Sequence, residues 1–492
     1  MNLELMGIVA AGIGMSLFSA SVYWTALFMV LATIFGAAAA ISLPALGGAS
    51  ILVPNLFLIF FALRIFRASG EGPVFAAMIA WRPGFWLLLL TLFGIVTALF
   101  LPKLFAGMTE TISVTRSVGD RNFLSLIDLR PTSNNITQSV YALGGLICFV
   151  FAFAYGRQHA SPKEMTKILL IVGSINILFA AIDVITFYTG TEYLMDSIRS
   201  ANYRFLTGSE KGGLKRISGT FSEASAFANY TLALFAIATS FWLDRSPNRY
   251  AGPIAFSLFL TLLLSTSATA LVGISAITFF LGCRSLTTSL QHPNRGRQIF
   301  IAIFACLPVI AIIITPTLAP SIADEVITFL EEILFSKAQS RSGMERLQWN
   351  ASAYQTFLDT YGFGAGLGSA RASSYLLVLL SNIGIVGTAL FTIFAASIIF
   401  SKSAWSEATT EIELDQARVT RATKAGFISV LLTSFISGTV YDLGLLFYFA
   451  GGICAAYCTY PISTPTKVPN FSATLTNAQL LNTTHSQSKR SS

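Results

Sequence analysis

The 492-residue sequence predicts an all-α polytopic membrane protein with about 12 transmembrane helices, and three observations carry that reading. Only 11% of the residues are charged, against roughly 25% in an ordinary soluble domain. From Met6 to Leu63 there is no Asp, Glu, Lys or Arg, far more than the ~20 apolar residues that span a bilayer. Apolar segments of this kind recur along most of the chain. They exclude a soluble enzyme with one anchor, a disordered scaffold and a disulfide-built secreted module. A formal charge of +8 would suggest nucleic acid in a soluble protein, but in a membrane protein the location of the charge matters more.

Taken in order, apolar runs bounded by charge, Pro or Gly predict spans at 22–42, 50–66, 84–102, 137–155, 167–189, 225–243, 250–264, 266–283, 299–317, 373–400, 424–439 and 441–460. Residues 6–20 are apolar as well and read as a half-helix, an extension of the first span, or a separate span that would reverse the orientation. No basic region followed by a small-residue cleavage site opens the chain, so no removable signal peptide is expected. "STSATALVG" at Ser265 to Gly273 marks the hairpin between two spans. Together, residues 1–460 form one transmembrane domain. The Ser/Thr/Asn-rich stretch 461–492 lacks periodicity and reads as a disordered cytoplasmic tail.

Loop charge sets the orientation. With the N-terminus inside, the inner loops and tail hold 18 of the 31 basic residues and eight acids, a net +10, while the outer side carries 13 of each sign. Basic residues crowding short loops on one side follow the positive-inside pattern. Both termini are therefore expected in the cytoplasm, and the basic pI says nothing about nucleic acid. Three long outer loops remain, 103–136, 190–224 and 318–372. The last contains "ADEVITFLEEILF" and "SGMERLQWNASAYQTFLD", two amphipathic helical patterns suited to lying on the membrane surface.

The sequence has no phosphate-binding G-x-x-x-x-G-K-[ST] loop, no H-E-x-x-H and no metal-ligand cluster, so neither a metal nor a cofactor is expected. The five cysteines, at 148, 283, 306, 454 and 458, read as small packing residues. His159, His292 and His485 all fall in inner loops or the tail, which leaves carboxylates for proton transfer on the outer face. That face does carry cations in a suggestive setting. Lys211, Lys215 and Arg216 precede Gly219, Phe221 and Glu223 at the mouth of a span. Arg341 and Arg346 flank a helix start, with Trp349 and Asn350 following. In "YGFGAGLGSAR", Gly362, Gly364, Gly366 and Gly368 alternate ahead of Arg371. Alternating glycines permit tight turns whose N–H groups can face an anion, and guanidinium groups bind phosphate oxygens through two donors. Arginines at span ends also snorkel to headgroups, so the combination on one side is the signal. Asp183 and Asp442 lie within or beside spans, where a functional and a helix-pairing role are equally open.

Three segments, Arg216 to Tyr230, Ser265 to Ala276 and Arg341 to Gly387, resemble the bacterial O-antigen ligase and Wzy polymerase superfamily in order and spacing. They match an Arg-x-x-Gly-x-Phe stretch, a Ser-rich helix break, and an Arg…Trp…Gly-x-Gly stretch followed by a returning helix. The resemblance implies a metal-independent, inverting glycosyltransferase of GT-C-like architecture in the cell inner membrane, acting on its outer face. Its donor would be an undecaprenyl-diphosphate-linked oligosaccharide, with membrane lipids around it and a flippase and a chain-length regulator as partners. Arg216, Arg346 and Arg371 are the positions for holding the diphosphate, supported by Lys215, Arg341, Trp349, Gly364, Gly366 and Gly368. Glu223 is the first candidate for the base, ahead of Glu345 and Asp359. Ligases of the family usually carry a His where this chain has Ser373 and Ser374, and the Ser-rich break ends in Ala268 where many members have Arg. Both departures favour an exopolysaccharide or O-antigen polymerase over a ligase acting on lipid A core. A lipid-linked sugar flippase is the alternative from another class, though no internal repeat supports it.

Overall fold

The computed structural model describes residues 2–43, 49–79, 81–116, 122–201, 207–208, 210–211, 214–291, 295–301, 341–403 and 408–458. The rest of the expected span 299–317, the "ADEVITFLEEILF" helix, Cys306, His292, His485 and the tail 461–492 lie outside the described residues.

The chain runs β1 (Asn2–Leu3), α1 (Leu5–Leu17), α2 (Val22–Ala32), β2 (Ala39–Leu43), β3 (Ala49–Leu52), α3 (Val53–Ser69), α4 (Gly72–Ala77) and α5 (Pro83–Leu104). A hairpin, β4 (Glu110–Arg116) and β5 (Asn122–Asp128), leads into α6 (Ser133–Gln158), α7 (Pro162–Tyr188) and α8 (Tyr193–Asp196). The short strands β6 (Glu210–Lys211) and β7 (Leu214–Lys215) precede α9 (Ala224–Leu243), α10 (Ala251–Leu264), α11 (Ala268–Gln291) and α12 (Arg295–Ile301). The described chain ends with α13 (Arg341–Asp359), α14 (Tyr375–Ile399), α15 (Glu411–Ser437) and α16 (Leu445–Cys458). The structure is 72% helical, as an all-α class requires. Seven of the described helices, α5, α6, α7, α9, α11, α14 and α15, are long and apolar enough to cross a membrane. The chain is therefore a multi-pass membrane protein.

Helix starts follow local chemistry. Pro83 and Pro162 open α5 and α7, where a missing N–H is no loss. Thr410 caps α15, accepting from the Glu413 N–H at 3.3 Å while the Glu413 carboxylate accepts from the Thr410 N–H at 3.1 Å. Inside the bundle, helices meet through small residues, as expected where lipid removes the hydrophobic drive for helix association. A side chain on Gly452 of α16 would strike the Phe149 carbonyl of α6, and one on Gly156 would meet Ala456 at 2.8 Å. Around this contact Phe427 and Phe447 stack with centroids 4.1 Å apart, and Phe394 meets both edge-on.

Residues 22–42 do not form one span. Helix α2 ends at Ala32, and β2 then pairs antiparallel with both β1 and β3. A buried strand and a buried helix share one uninterrupted apolar run, so the pattern could not separate them. Residues 5–17 form a helix of their own, whose following turn is held by the Arg64 guanidinium donating to the Ala20 carbonyl at 3.0 Å. The serine-rich break falls between α10 and α11, at Ser265, Thr266 and Ser267, with Thr266 at φ +45°.

Candidate functional site

The segment before α9 is built on Asp183, a carboxylate near the end of α7 that is 1% exposed. Its Oδ1 pairs with Arg199 at 2.5 Å and Lys215 at 3.0 Å. Its Oδ2 accepts the N–H groups of Ser218 at 2.9 Å and Gly219 at 3.0 Å. Arg199 also donates to the Gly219 carbonyl, from Nε at 2.9 Å. Gly219 sits at φ +55°, and Thr220 hydrogen-bonds the Ile34 carbonyl beyond α2. The stretch from Lys215 to Thr220 is thus held from two sides. Lys215, expected to face substrate, is instead engaged by Asp183 and by the Thr207 carbonyl at 3.1 Å, with its side chain 2% exposed.

Arg216 is the next residue, and among the described residues it forms no ion pair of this kind. Its Nε is buried without a hydrogen bond among the described residues. Burial holds its guanidinium below the ordinary pKa; Glu223 opposes that shift, and the like charge of Arg346 adds to it. Arg216 therefore lies within electrostatic range of both Glu223 and Arg346. Glu223 caps α9 in an extended conformation, where the helix dipole favours negative charge. Its carboxylate accepts from the Ser225 hydroxyl.

Arg346 comes from α13. Thr356, Ala353 and Gly343 line the buried side of this helix, while Met344, Leu347, Tyr354 and Leu358 are exposed on the other. One turn after Arg346, the Asn350 side chain accepts the Ser373 N–H at 2.8 Å, tying α13 to the stretch that carries Arg371. Arg346, Trp349, Asn350 and Arg371 are all half-buried. Arg341 is the first residue of α13, and its side chain lies outside the described residues. Asp359, bonded by Gln355 at 2.7 Å, is 13 residues from Arg346, about 20 Å along a helix axis, which removes it as a base for chemistry at Arg346. Glu345 is exposed.

The alternating glycines play a different part from the one expected. Helix α14 breaks at Gly384, φ +62° and ψ −164°, which strands backbone groups that a membrane cannot satisfy. The glycine loop supplies their partners. Ala365 donates to the Ser381 carbonyl and Gly366 to the Asn382 carbonyl, each at 2.8 Å, and Ile385 donates to the Gly362 carbonyl at 3.0 Å. Gly364 donates to Thr360 Oγ1 at 3.1 Å and Gly368 to Asn382 Oδ1 at 2.9 Å. The N–H groups of Gly364, Gly366 and Gly368 thus all have protein acceptors and do not form an open anion cradle. Close approach explains the glycines: a Cβ at 366 would lie 2.7 Å from Pro102 and from the Thr97 carbonyl of α5.

Asn382 was not singled out in the sequence, yet it organises this loop. Its Oδ1 accepts from Gly368 and, at 3.2 Å, from Ala370, and its Nδ2 donates to the Ala370 carbonyl at 2.9 Å. Asn135 assists from α6, donating to the Leu367 carbonyl and to Ser369, each at 2.8 Å. The available signal was "SNIG", a buried amide and a glycine inside an apolar span. The Asp183 partners Arg199 and Ser218 were missed as well.

The fold is that of a polytopic helical membrane protein, and Arg216 lies in the segment before α9, at one end of its bundle. Neither a protein-family model nor a curated protein matches the chain.

Proposed function

We propose that this chain is a polysaccharide polymerase, a metal-independent glycosyltransferase that joins undecaprenyl-diphosphate-linked repeat units. The observation that carries the reading is Arg216, whose Nε is buried without a hydrogen bond among the described residues, within electrostatic range of Glu223 and of the like-charged Arg346. A partly desolvated guanidinium beside a second one gains most from an anionic ligand. In the reaction, an acceptor hydroxyl oxygen bonds to the anomeric carbon of the donor glycan as the bond to the diphosphate oxygen breaks. The electron pair leaves with the diphosphate, whose growing charge Arg216 and Arg346 stabilise, with Arg371 nearby. The hydroxyl proton passes to Glu223.

This reading places 12 spans in the cell inner membrane, both termini in the cytoplasm, and the Arg216 end of the bundle on the outer face. Serines at 373 and 374 favour polymerase over ligase. The product profile of a strain lacking the chain is the test. Accumulated single lipid-linked repeat units are the expected result. Long lipid-linked chains that never reach their acceptor would instead mean a ligase, and accumulation on the inner leaflet a flippase.

A further inference from the structure

At the opposite end of the bundle, two adjoining cavities open between α7, the end of α9 and α10. One, about 230 Å³, is lined by the polar Lys167, Asn248 and Tyr250 and by the apolar Leu170, Ile171 and Ile254. The other, about 360 Å³, is lined by Trp242, Arg245, Asn248, Arg249 and Gly252. Asn248 lines both, so the two cavities meet at that residue and are treated together as a groove. Lys167 and Ile171 are four apart on α7, as Tyr250 and Ile254 are at the start of α10; each pair shares one helix face. The groove lining therefore passes from charged to apolar along the helix direction.

The cations lining the groove differ from those just beside it. Arg284, Arg297 and Arg421 all reach the buried carboxylate of Asp244, at 3.4, 3.2 and 3.4 Å. Lys167, Arg245 and Arg249 are exposed, and among the described residues none of the three pairs with a carboxylate. Arg249 stacks on the Tyr250 ring at 5.0 Å and donates to its hydroxyl at 2.9 Å. Arg245 follows the α9 cap at φ +52°, the left-handed position that usually takes glycine. Its N–H donates to the Trp242 carbonyl at 3.2 Å, and the Ser246 N–H to Phe241 at 2.9 Å. A long cation thus occupies a strained position where glycine would be easier, and it lines the groove.

We propose that this groove binds one anionic phospholipid, its headgroup phosphate held by Lys167, Arg245 and Arg249 and one acyl chain lying along Leu170, Ile171 and Ile254. Three cations without carboxylate partners complement a phosphodiester, and the apolar wall selects a lipid over a free anion. The inference goes beyond the glycosyltransferase reading and does not rest on it. The test uses the full-length protein in vesicles of phosphatidylcholine doped with phosphatidylglycerol, followed by extraction and native mass spectrometry of the retained lipid. Wild type is expected to retain phosphatidylglycerol several-fold over its share of the vesicle, and inorganic phosphate in excess not to displace it. Lys167→Gln and Arg245→Gly should each remove most of that enrichment. Arg245→Gly relieves the strained backbone, so it should melt no lower than wild type in phosphatidylcholine alone, which separates lost binding from lost folding. Equal retention of both lipids, undiminished enrichment in Arg245→Gly, or full displacement by inorganic phosphate would overturn the proposal.

Discussion

The ammonium of Lys215 lies 3.0 Å from the carboxylate of Asp183, and both side chains are sealed from solvent. The next residue, Arg216, has no ion pair of this kind among the described residues, and its Nε is buried without a hydrogen bond there. One residue of the pair anchors the segment and the other is presented by it.

Asp183→Asn leaves Arg199 and Lys215 buried without their counter-charge. Breaking a buried pair in this way costs about 3–5 kcal/mol. The variant is expected to melt well below wild type in detergent, with polymer lost in proportion to folded protein. An unchanged melting temperature would show that Asp183 is not the anchor.

Glu223→Gln keeps the shape of the α9 cap and removes the carboxylate that acts on Arg216. Turnover should collapse while donor binding holds or tightens, because the competing negative charge is gone. Initial rates at varied donor read this as a fall in kcat with KM level or lower. A rise in KM with kcat intact would assign Glu223 to binding.

Gly366→Ala places a Cβ 2.7 Å from Pro102 and the Thr97 carbonyl, at φ +98°. The left-handed conformation alone costs an L-residue ~1–2 kcal/mol, and the collision with α5 adds to that. The expected phenotype is a lowered melting temperature. A variant that folds as wild type but makes no polymer would return the glycines to a direct role in binding.

Asn382→Leu strands the Gly368 and Ala370 N–H groups and the Ala370 carbonyl, at about 1–3 kcal/mol for each buried group left unsatisfied. Hydrogen exchange should report early opening of residues 364–374 while α6 and α16 remain protected. Uniform protection across the loop would contradict the role given to Asn382.

The contrast between α9 and β2 shows what the sequence could disclose. Helix α9 was legible at 225–243 because charge and glycine precede it and Asp244 ends it. Between Val22 and Leu43 no charge interrupts the run, so a helix and a buried strand merged into one expected span. The site divides in the same way. Arg216, Glu223 and Arg346 stand out as candidates in the sequence because charge is conspicuous in an apolar chain. That Lys215 belongs to Asp183, and that the glycine N–H groups belong to Thr360 and to the break in α14, depends on partners that no local pattern names.

The central claim is that the Arg216 guanidinium, with Arg346, holds the departing diphosphate. The most direct measurement is the ladder of lipid-linked glycans formed by the purified full-length protein in vesicles supplied with undecaprenyl-diphosphate repeat units, wild type against Arg216→Lys. Lysine keeps the charge and loses the two-donor fork, and a charged hydrogen bond is worth about 1.5–3 kcal/mol. The account therefore predicts a rate about 10- to 100-fold lower, at an unchanged melting temperature. A normal ladder at the wild-type rate from Arg216→Lys would contradict it.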